Sequence, residues 1–143
     1  MTDIVKMALD KTEIINEIFD LARYINSNQP NSTLTMIQLR TVMYISENGR
    51  VKPTEIAKNF KITPASVTSQ IDSLVKRGLL ERIFNQNDKR VIEVELTNKG
   101  KSLLPKEVDK LESSCSWIFD SLNSKEQVEL LELVKKINKS KGI

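Results

Sequence analysis

The sequence predicts a mostly α-helical fold carrying one small antiparallel β-hairpin, and three observations point to it. Most of the chain places apolar residues three and four apart, the spacing that gathers them along one side of a helix. Only residues 79–100, "LLERIFNQNDKRVIEVELTNKG", hold two short runs that alternate in the manner of strands. Helix punctuation falls between these patterns: Pro53 and Pro64 suit first turns, and Gly78 suits a C-terminal stop.

Residues 4–26 set Ile14, Ile15, Ile18, Phe19, Leu21, Ala22 and Ile25 along one stripe of a first helix. "NQPNST" (28–33) is a loop by composition. Thr35 is placed to cap a second helix with Met36, Ile37, Leu39, Val42, Met43 and Ile45 as apolar positions, ending near "ENG". "KPTEIAKNF" gives a short third helix, "KIT" a break, and "PASVTSQIDSLVKRG" a fourth, with Ile56, Phe60, Ile62, Val67, Ile71 and Leu74 closing a small core. Ala57 is small where these two helices should cross. In the second strand Ile92, Val94 and Leu96 face one way, and Val91, Glu93 and Glu95 the other. Thr97 caps a long helix with Leu111, Cys115, Ile118 and Leu122 as its stripe, and Pro105 inside it predicts a kink or local break. "SKEQ" (124–127) approximates a capping box, with Ser124 at the cap and Gln127 three residues on, and opens a last helix carrying Val128, Leu131, Val134 and Ile137. A tight helix–turn–helix followed at once by a two-stranded hairpin is a winged helix–turn–helix. The expected division is residues 1–33, 34–100 and 101–143.

At 143 residues, 39% hydrophobic and 29% charged, the chain has the composition of one ordinary globular domain. Its apolar runs are only a few residues long, so no membrane span is expected. The single cysteine fits a reducing cytoplasm, and the acids interleaved in "MTDIVKMALDKTEI" argue against a secretory signal. There is no histidine, glycine-rich phosphate loop, nucleophile constellation or metal-ligand spacing, which leaves enzymatic, cofactor and metal chemistry little to stand on. The charge, however, is unevenly spread. Residues 34–105 hold 12 basic against 7 acidic side chains, while residues 1–33 hold 3 against 5 and residues 106–143 are balanced at 7 and 7. Basicity confined to the helix–turn–helix and hairpin is the electrostatic footprint of a polyanion-binding face.

Taking Val67 as the inward reference, the fourth helix directs Ala65, Ser69, Ser73 and Lys76 outward, with Ser66, Thr68 and Asp72 on the flanks and Gln70 to the side. Short hydroxyl side chains approach phosphates and base edges closely, and the N–H groups near Thr63–Ser66 can add a phosphate contact. The bland alternative is a solvated polar side. At the hairpin tip, Arg90 has the shape to enter a minor groove, with Asp88 gripping its guanidinium and Lys89, Asn85, Gln86 and Asn87 near phosphates. In isolation that pair would be an ordinary surface ion pair; attached to a helix–turn–helix it reads as a DNA wing. The DNA-contacting set is therefore Thr63, Ser66, Thr68, Ser69, Gln70, Ser73, Lys76, Asp88, Lys89 and Arg90, with double-stranded DNA as partner. The competing function is a winged-helix protein–protein module without DNA binding.

"LTMIQLRTVMYI…VKPTEIAKNFKITPASVTSQIDSLVKRGLLERIFNQNDKRVIEVELTNKG" resembles the MarR family of transcription regulators over residues 34–100, most specifically in "LVKRGLLER", the wing "DKR" and "LTNKG". The resemblance implies a homodimer on pseudo-palindromic operators, a repressor released by a small ligand or oxidant, with Asp88 and Arg90 as the wing pair and residues 64–77 as recognition helix. Positions 69 and 73, often basic in that family, are serine here. Independently, the apolar stripes of the terminal helices exceed what the central module can cover, which predicts pairing of two copies through both termini. Cys115 invites a redox-switch reading, but it falls on an apolar stripe, where a buried structural thiol is the ordinary expectation. Trp117, Tyr24 and Phe19 have the chemistry to line a pocket for a small aromatic or lipophilic effector, although core packing is the commoner role.

Overall fold

The computed structural model describes residues 2–28 and 32–142. Its elements are α1 (Asp3–Ser27), α2 (Met36–Asn48), α3 (Pro53–Phe60), α4 (Pro64–Lys76), β1 (Leu80–Phe84), β2 (Ile92–Leu96), α5 (Asn98–Asp120) and α6 (Ser124–Ser140), in the order predicted from periodicity. Half of the loop expected at 28–33 falls on residues 29–31, which lie outside the described residues.

Local chemistry sets the boundaries. Thr35 Oγ1 accepts from the Gln38 N–H at 3.3 Å while Gln38 Oε1 accepts from the Thr35 N–H at 3.0 Å, a complete capping box at the start of α2. Pro53 and Pro64 open α3 and α4. Thr63 caps α4 by accepting from the Ser66 N–H at 3.1 Å. Beyond its other end Gly78 takes φ +74°, a conformation that most side chains resist. The hairpin pairs Leu80 with Leu96 through Phe84 with Ile92. Val51 adds one bridge on the other side of β2, exchanging backbone hydrogen bonds with Val94 at 3.1 and 2.8 Å. A one-residue strand is too short to show as alternation, so this rung has no trace in the sequence pattern.

The core lies where α2, α3, α4 and the hairpin meet. Val42, Ile45, Ile56, Val67, Ile71, Leu74 and Val94 are each 2% exposed or less, and burying each such side chain contributes roughly 1.5–3 kcal/mol. Phe60, Ile62 and Ala57 pack at its margin, as do Leu103 and Leu104 from the first turns of α5. Phe60 meets Tyr44 edge to face at 5.7 Å and carries the Arg40 guanidinium over its ring at 4.6 Å, which ties α3 to α2.

Two expectations need correction. First, of the kink or local break expected at Pro105 the break is absent, and α5 is one continuous helix through it. Proline forfeits one backbone bond, but packing on either side of it outweighs that loss: Leu103 and Leu104 hold the preceding turn, and buried Glu107 the following one. Second, the capping box at α6 sits one residue earlier than "SKEQ" suggested. Asn123 is the cap, accepting from the Glu126 N–H at 3.0 Å while Glu126 accepts from the Asn123 N–H at 2.9 Å. Asparagine caps at least as well as serine, and Gln127 is used elsewhere, donating to the Phe119 and Leu122 carbonyls at 3.0 Å each.

The terminal helices are a different matter. Among the described residues α6 buries none, and Val128, Leu130, Leu131, Leu133, Val134 and Ile137 are exposed, as are Ile14, Ile15, Ile18, Phe19 and Leu21 on α1. No helix among the described residues is long and apolar enough to cross a membrane.

Candidate nucleic-acid interface

Helix α4 is fixed from below by Val67, Ile71 and Leu74, which leaves its remaining sides to solvent or neighbours. Thr63, Thr68, Ser69 and Lys76 are exposed, and Ser66 and Gln70 are half-buried at the flanks. The Thr68 hydroxyl donates to the Pro64 carbonyl at 3.0 Å, so its oxygen is presented outward as an acceptor. Ser73 departs from the simple outward projection. It is half-buried, and its Oγ accepts from Gln38 Nε2 at 3.2 Å across the α2–α4 contact. Next to it Asp72 pairs with Arg82 of β1, so the recognition helix is also tied to the hairpin.

The wing tip is a built turn rather than a loose loop. Asn85 and Val91 close it through the Asn85 N–H to the Val91 carbonyl at 3.0 Å. Inside it Asn85 Oδ1 accepts from the Asn87 and Asp88 N–H groups at 2.8 and 3.2 Å, and Asp88 Oδ1 accepts from the Arg90 N–H at 3.0 Å. These side-chain-to-backbone bonds do the work that glycine does in shorter hairpins. Asp88 Oδ1 also lies 3.5 Å from Arg90 Nε, an open ion pair that leaves the Arg90 side chain 95% exposed. Lys89 is exposed beside it.

Further basic residues cluster elsewhere on the module and at the end of α6. Lys58, Lys61 and Lys139 line an open cleft with Tyr44, Glu55 and Asn59, bringing the end of α6 against the helix–turn–helix. At the base of the wing Arg50 Nε donates to Glu95 Oε2 at 2.7 Å. This bond raises the Arg50 pKa and holds the Glu95 carboxyl below its usual range. Lys139 and the Arg50–Glu95 pair are brought in from far along the chain, so no spacing rule would find them.

Behind the α2 N-terminus lies a buried carboxylate. Glu107 is 1% exposed. It accepts from the Ser32 hydroxyl, from Lys110 Nζ at 3.0 Å and from Thr33 Oγ1 at 3.4 Å. Burial pushes its pKa up, but the Ser32 hydrogen bond and the Lys110 ammonium outweigh that and hold it below the ordinary carboxylate range. A depressed folded-state pKa contributes stability above the unfolded value near ~4.3 and loses it as pH falls through the folded value. The melting temperature should therefore fall between pH 6 and pH 3.5 more steeply in the native chain than in Glu107→Gln, as measured by thermal melts across that range; parallel curves would deny the network this role.

A cavity of about 210 Å³ opens beside it, lined by Ser32, Leu34, Thr35, Met36, Leu39, Glu107 and Leu111. Among the described residues, the space that Trp117 lines is small. Tyr24 and Trp117 meet edge to face at 5.0 Å, Phe19 is 64% exposed, and the space beside Trp117 and half-buried Cys115 is about 20 Å³, room for about one water.

Residues 34–92 match the sequence profile of the MarR family. The HTH-type transcriptional repressor YetL of Bacillus subtilis is 30% identical over 86 residues, which are 60% of this chain and 52% of that protein, so the chain spans about half of YetL. A mutant MarR from E. coli solved in complex with operator DNA superposes with a TM-score of 0.70 at 23% identity, covering 95% of this chain and 99% of that one. BpsR of Bordetella bronchiseptica, solved in connection with regulation of its DNA binding by 6-hydroxynicotinic acid, gives 0.71 at 24% identity over 89% and 91%. These two structural likenesses carry the fold.

Proposed function

We propose that the chain is a MarR-family regulator, a cytoplasmic, homodimeric transcription repressor that reads a pseudo-palindromic DNA operator, a reading supported by the profile match over residues 34–92. The observation that carries this reading is the wing tip: an arginine almost wholly in solvent, on a turn locked by Asn85 and Asp88, at the end of a hairpin tethered to α4 through Arg82 and Asp72. A solvent-exposed cation carried on a fixed, narrow turn suits the minor groove, where A·T-rich segments concentrate negative potential. Ser66, Thr68, Ser69 and Gln70 of α4 then face the major groove, while Thr63, Lys76 and Lys89 lie against phosphates. Two-fold symmetry sets the paired recognition helices about 34 Å apart. A small effector has room in the cavity between α2 and α5, the arrangement of a ligand-released repressor.

Titration onto a duplex selected from a random pool tests the wing. Arg90→Ala should weaken binding by about 1–3 kcal/mol. Lys89→Gln should lower the slope of log affinity on log salt by about 0.9, one phosphate contact. Unchanged affinity and slope in both variants would reject the assignment and leave a winged-helix protein-docking module as the better reading.

A further inference from the structure

The environment of Ser73 points past direct contact with bases. Gln38 is 8% exposed and spends both ends of its amide on structure: Oε1 caps α2 by accepting from the Thr35 N–H at 3.0 Å, and Nε2 donates to Ser73 Oγ on α4 at 3.2 Å. Of the common side chains of this length, only an amide both accepts at one end and donates at the other without a charge. One residue earlier in α4, Asp72 is held by Arg82 of β1. Consecutive residues on a helix point about 100° apart, so α4 is gripped from two directions, by α2 and by the wing strand. The apolar contacts of Val67, Ile71 and Leu74 hold the helix down, but hydrophobic burial is non-directional and fixes its roll poorly. A pair of directed hydrogen bonds fixes it well.

We propose that Gln38 is a positioning residue for the DNA-reading helix: through Ser73 it sets the roll of α4, and with it the register of Ser66, Ser69 and Gln70 against base edges. Side-chain tips lie about 5–6 Å from a helix axis, so a roll of about 10° moves them by about 1 Å, enough to spoil a hydrogen bond whose useful range is about half an ångström. The anchor at the far end is firm. Thr35 follows the segment whose Ser32 donates to Glu107 of α5 and accepts from the Leu34 N–H at 3.0 Å, so the grip on α4 continues into the long helix α5.

This inference rests on the DNA-reading proposal, and the test separates the two. Affinities of the native chain, Ser73→Ala, Gln38→Met and the double variant are measured on the selected operator and on a random duplex of equal length. Ser73→Ala, which should fold well because alanine favours helix, is expected to lose about tenfold on the operator, the scale of one base-edge contact, and less than twofold on the random duplex, where phosphate contacts suffice. The double variant should bind the operator no worse than Gln38→Met, since both changes break one link. Overturning results are an operator affinity unchanged by Ser73→Ala, equal losses on both duplexes, or losses that multiply in the double variant, the mark of a serine that touches DNA itself. A native chain that prefers no duplex would remove the DNA reading and this role together, whereas any of the other three removes the role alone.

Discussion

Replacing Gly100 with alanine is expected to destabilise the protein by about 3 kcal/mol or more, at the upper end of what overpacking costs. Glycine to alanine inside a helix ordinarily stabilises by about 0.5–1 kcal/mol, so the sign itself is diagnostic. Gly100 lies in the first turn of α5 and is buried. A Cβ there would stand 2.3 Å from the Leu79 carbonyl oxygen and 3.2 Å from both the Leu79 carbonyl carbon and Leu96 Cδ2. The carbonyl has no freedom to retreat, because it accepts the Thr97 N–H at 3.1 Å where chain leaving β2 turns into α5. Thr97 is bound twice more at the same corner, donating to the Gly78 carbonyl at 2.6 Å and accepting from the Gly100 N–H at 3.1 Å. The start of α5 would have to lift off the α4–β1 junction. Against a total stability of roughly 5–15 kcal/mol the loss is severe, and urea or thermal unfolding reads it directly. A variant as stable as the native chain would mean that α5 does not seat on that corner.

What the sequence disclosed and what it concealed divide along the range of the interactions. Helix starts at Thr35, Pro53, Pro64 and Thr97, the stop at Gly78 and the alternation in β2 depend on neighbours within four residues, and each was legible. So was the wing turn, because Asp88 and Arg90 act on each other two residues apart. The misplaced cap at α6 shows the limit of this reading: Asn123 and Ser124 are both good caps, and only the competing use of Gln127 by the end of α5 separates them. Pro105 shows another limit, since local geometry predicts a break that packing on either side overrides. Beyond that range the shared apolar core was legible, but the polar contacts between elements were not. Gln38 meets Ser73 at a separation of 35 residues, and Ser32 meets Glu107 at 75. A helical projection sorts Ser73 by angle alone, and it cannot know that a long amide from α2 reaches across to it. The second-row residues that hold the candidate site in place were hidden for that reason.

The uncovered faces of α1 and α6 lead to the other large expected effect: Leu131→Glu should convert a dimer at micromolar concentration into a monomer that no longer holds its operator. Leu131 sits mid-helix in α6 among Val128, Leu130, Val134 and Ile137, all exposed, and α1 presents Ile14, Ile15 and Ile18 in the same condition. Apolar stripes of this length on two helices exceed what a monomeric surface normally tolerates, and a second copy of the same chain supplies a matching one. Glutamate is a good helix former and the site is in solvent, so the monomer fold should be unharmed. Central apolar anchors of an interface are worth about 2–4 kcal/mol each, and a two-fold axis introduces the substitution twice, so dimer affinity should drop by three orders of magnitude or more on this scale. Operator binding should fall at least a hundredfold with it, because each half-site is then bound separately and the gain from tethering is lost. Sedimentation or light scattering gives the mass, circular dichroism the retained helix, and titration the affinity. A folded Leu131→Glu chain that still runs as a dimer would place the interface elsewhere, and a monomer that binds the full operator as tightly as the native chain would show that symmetry plays no part in reading it.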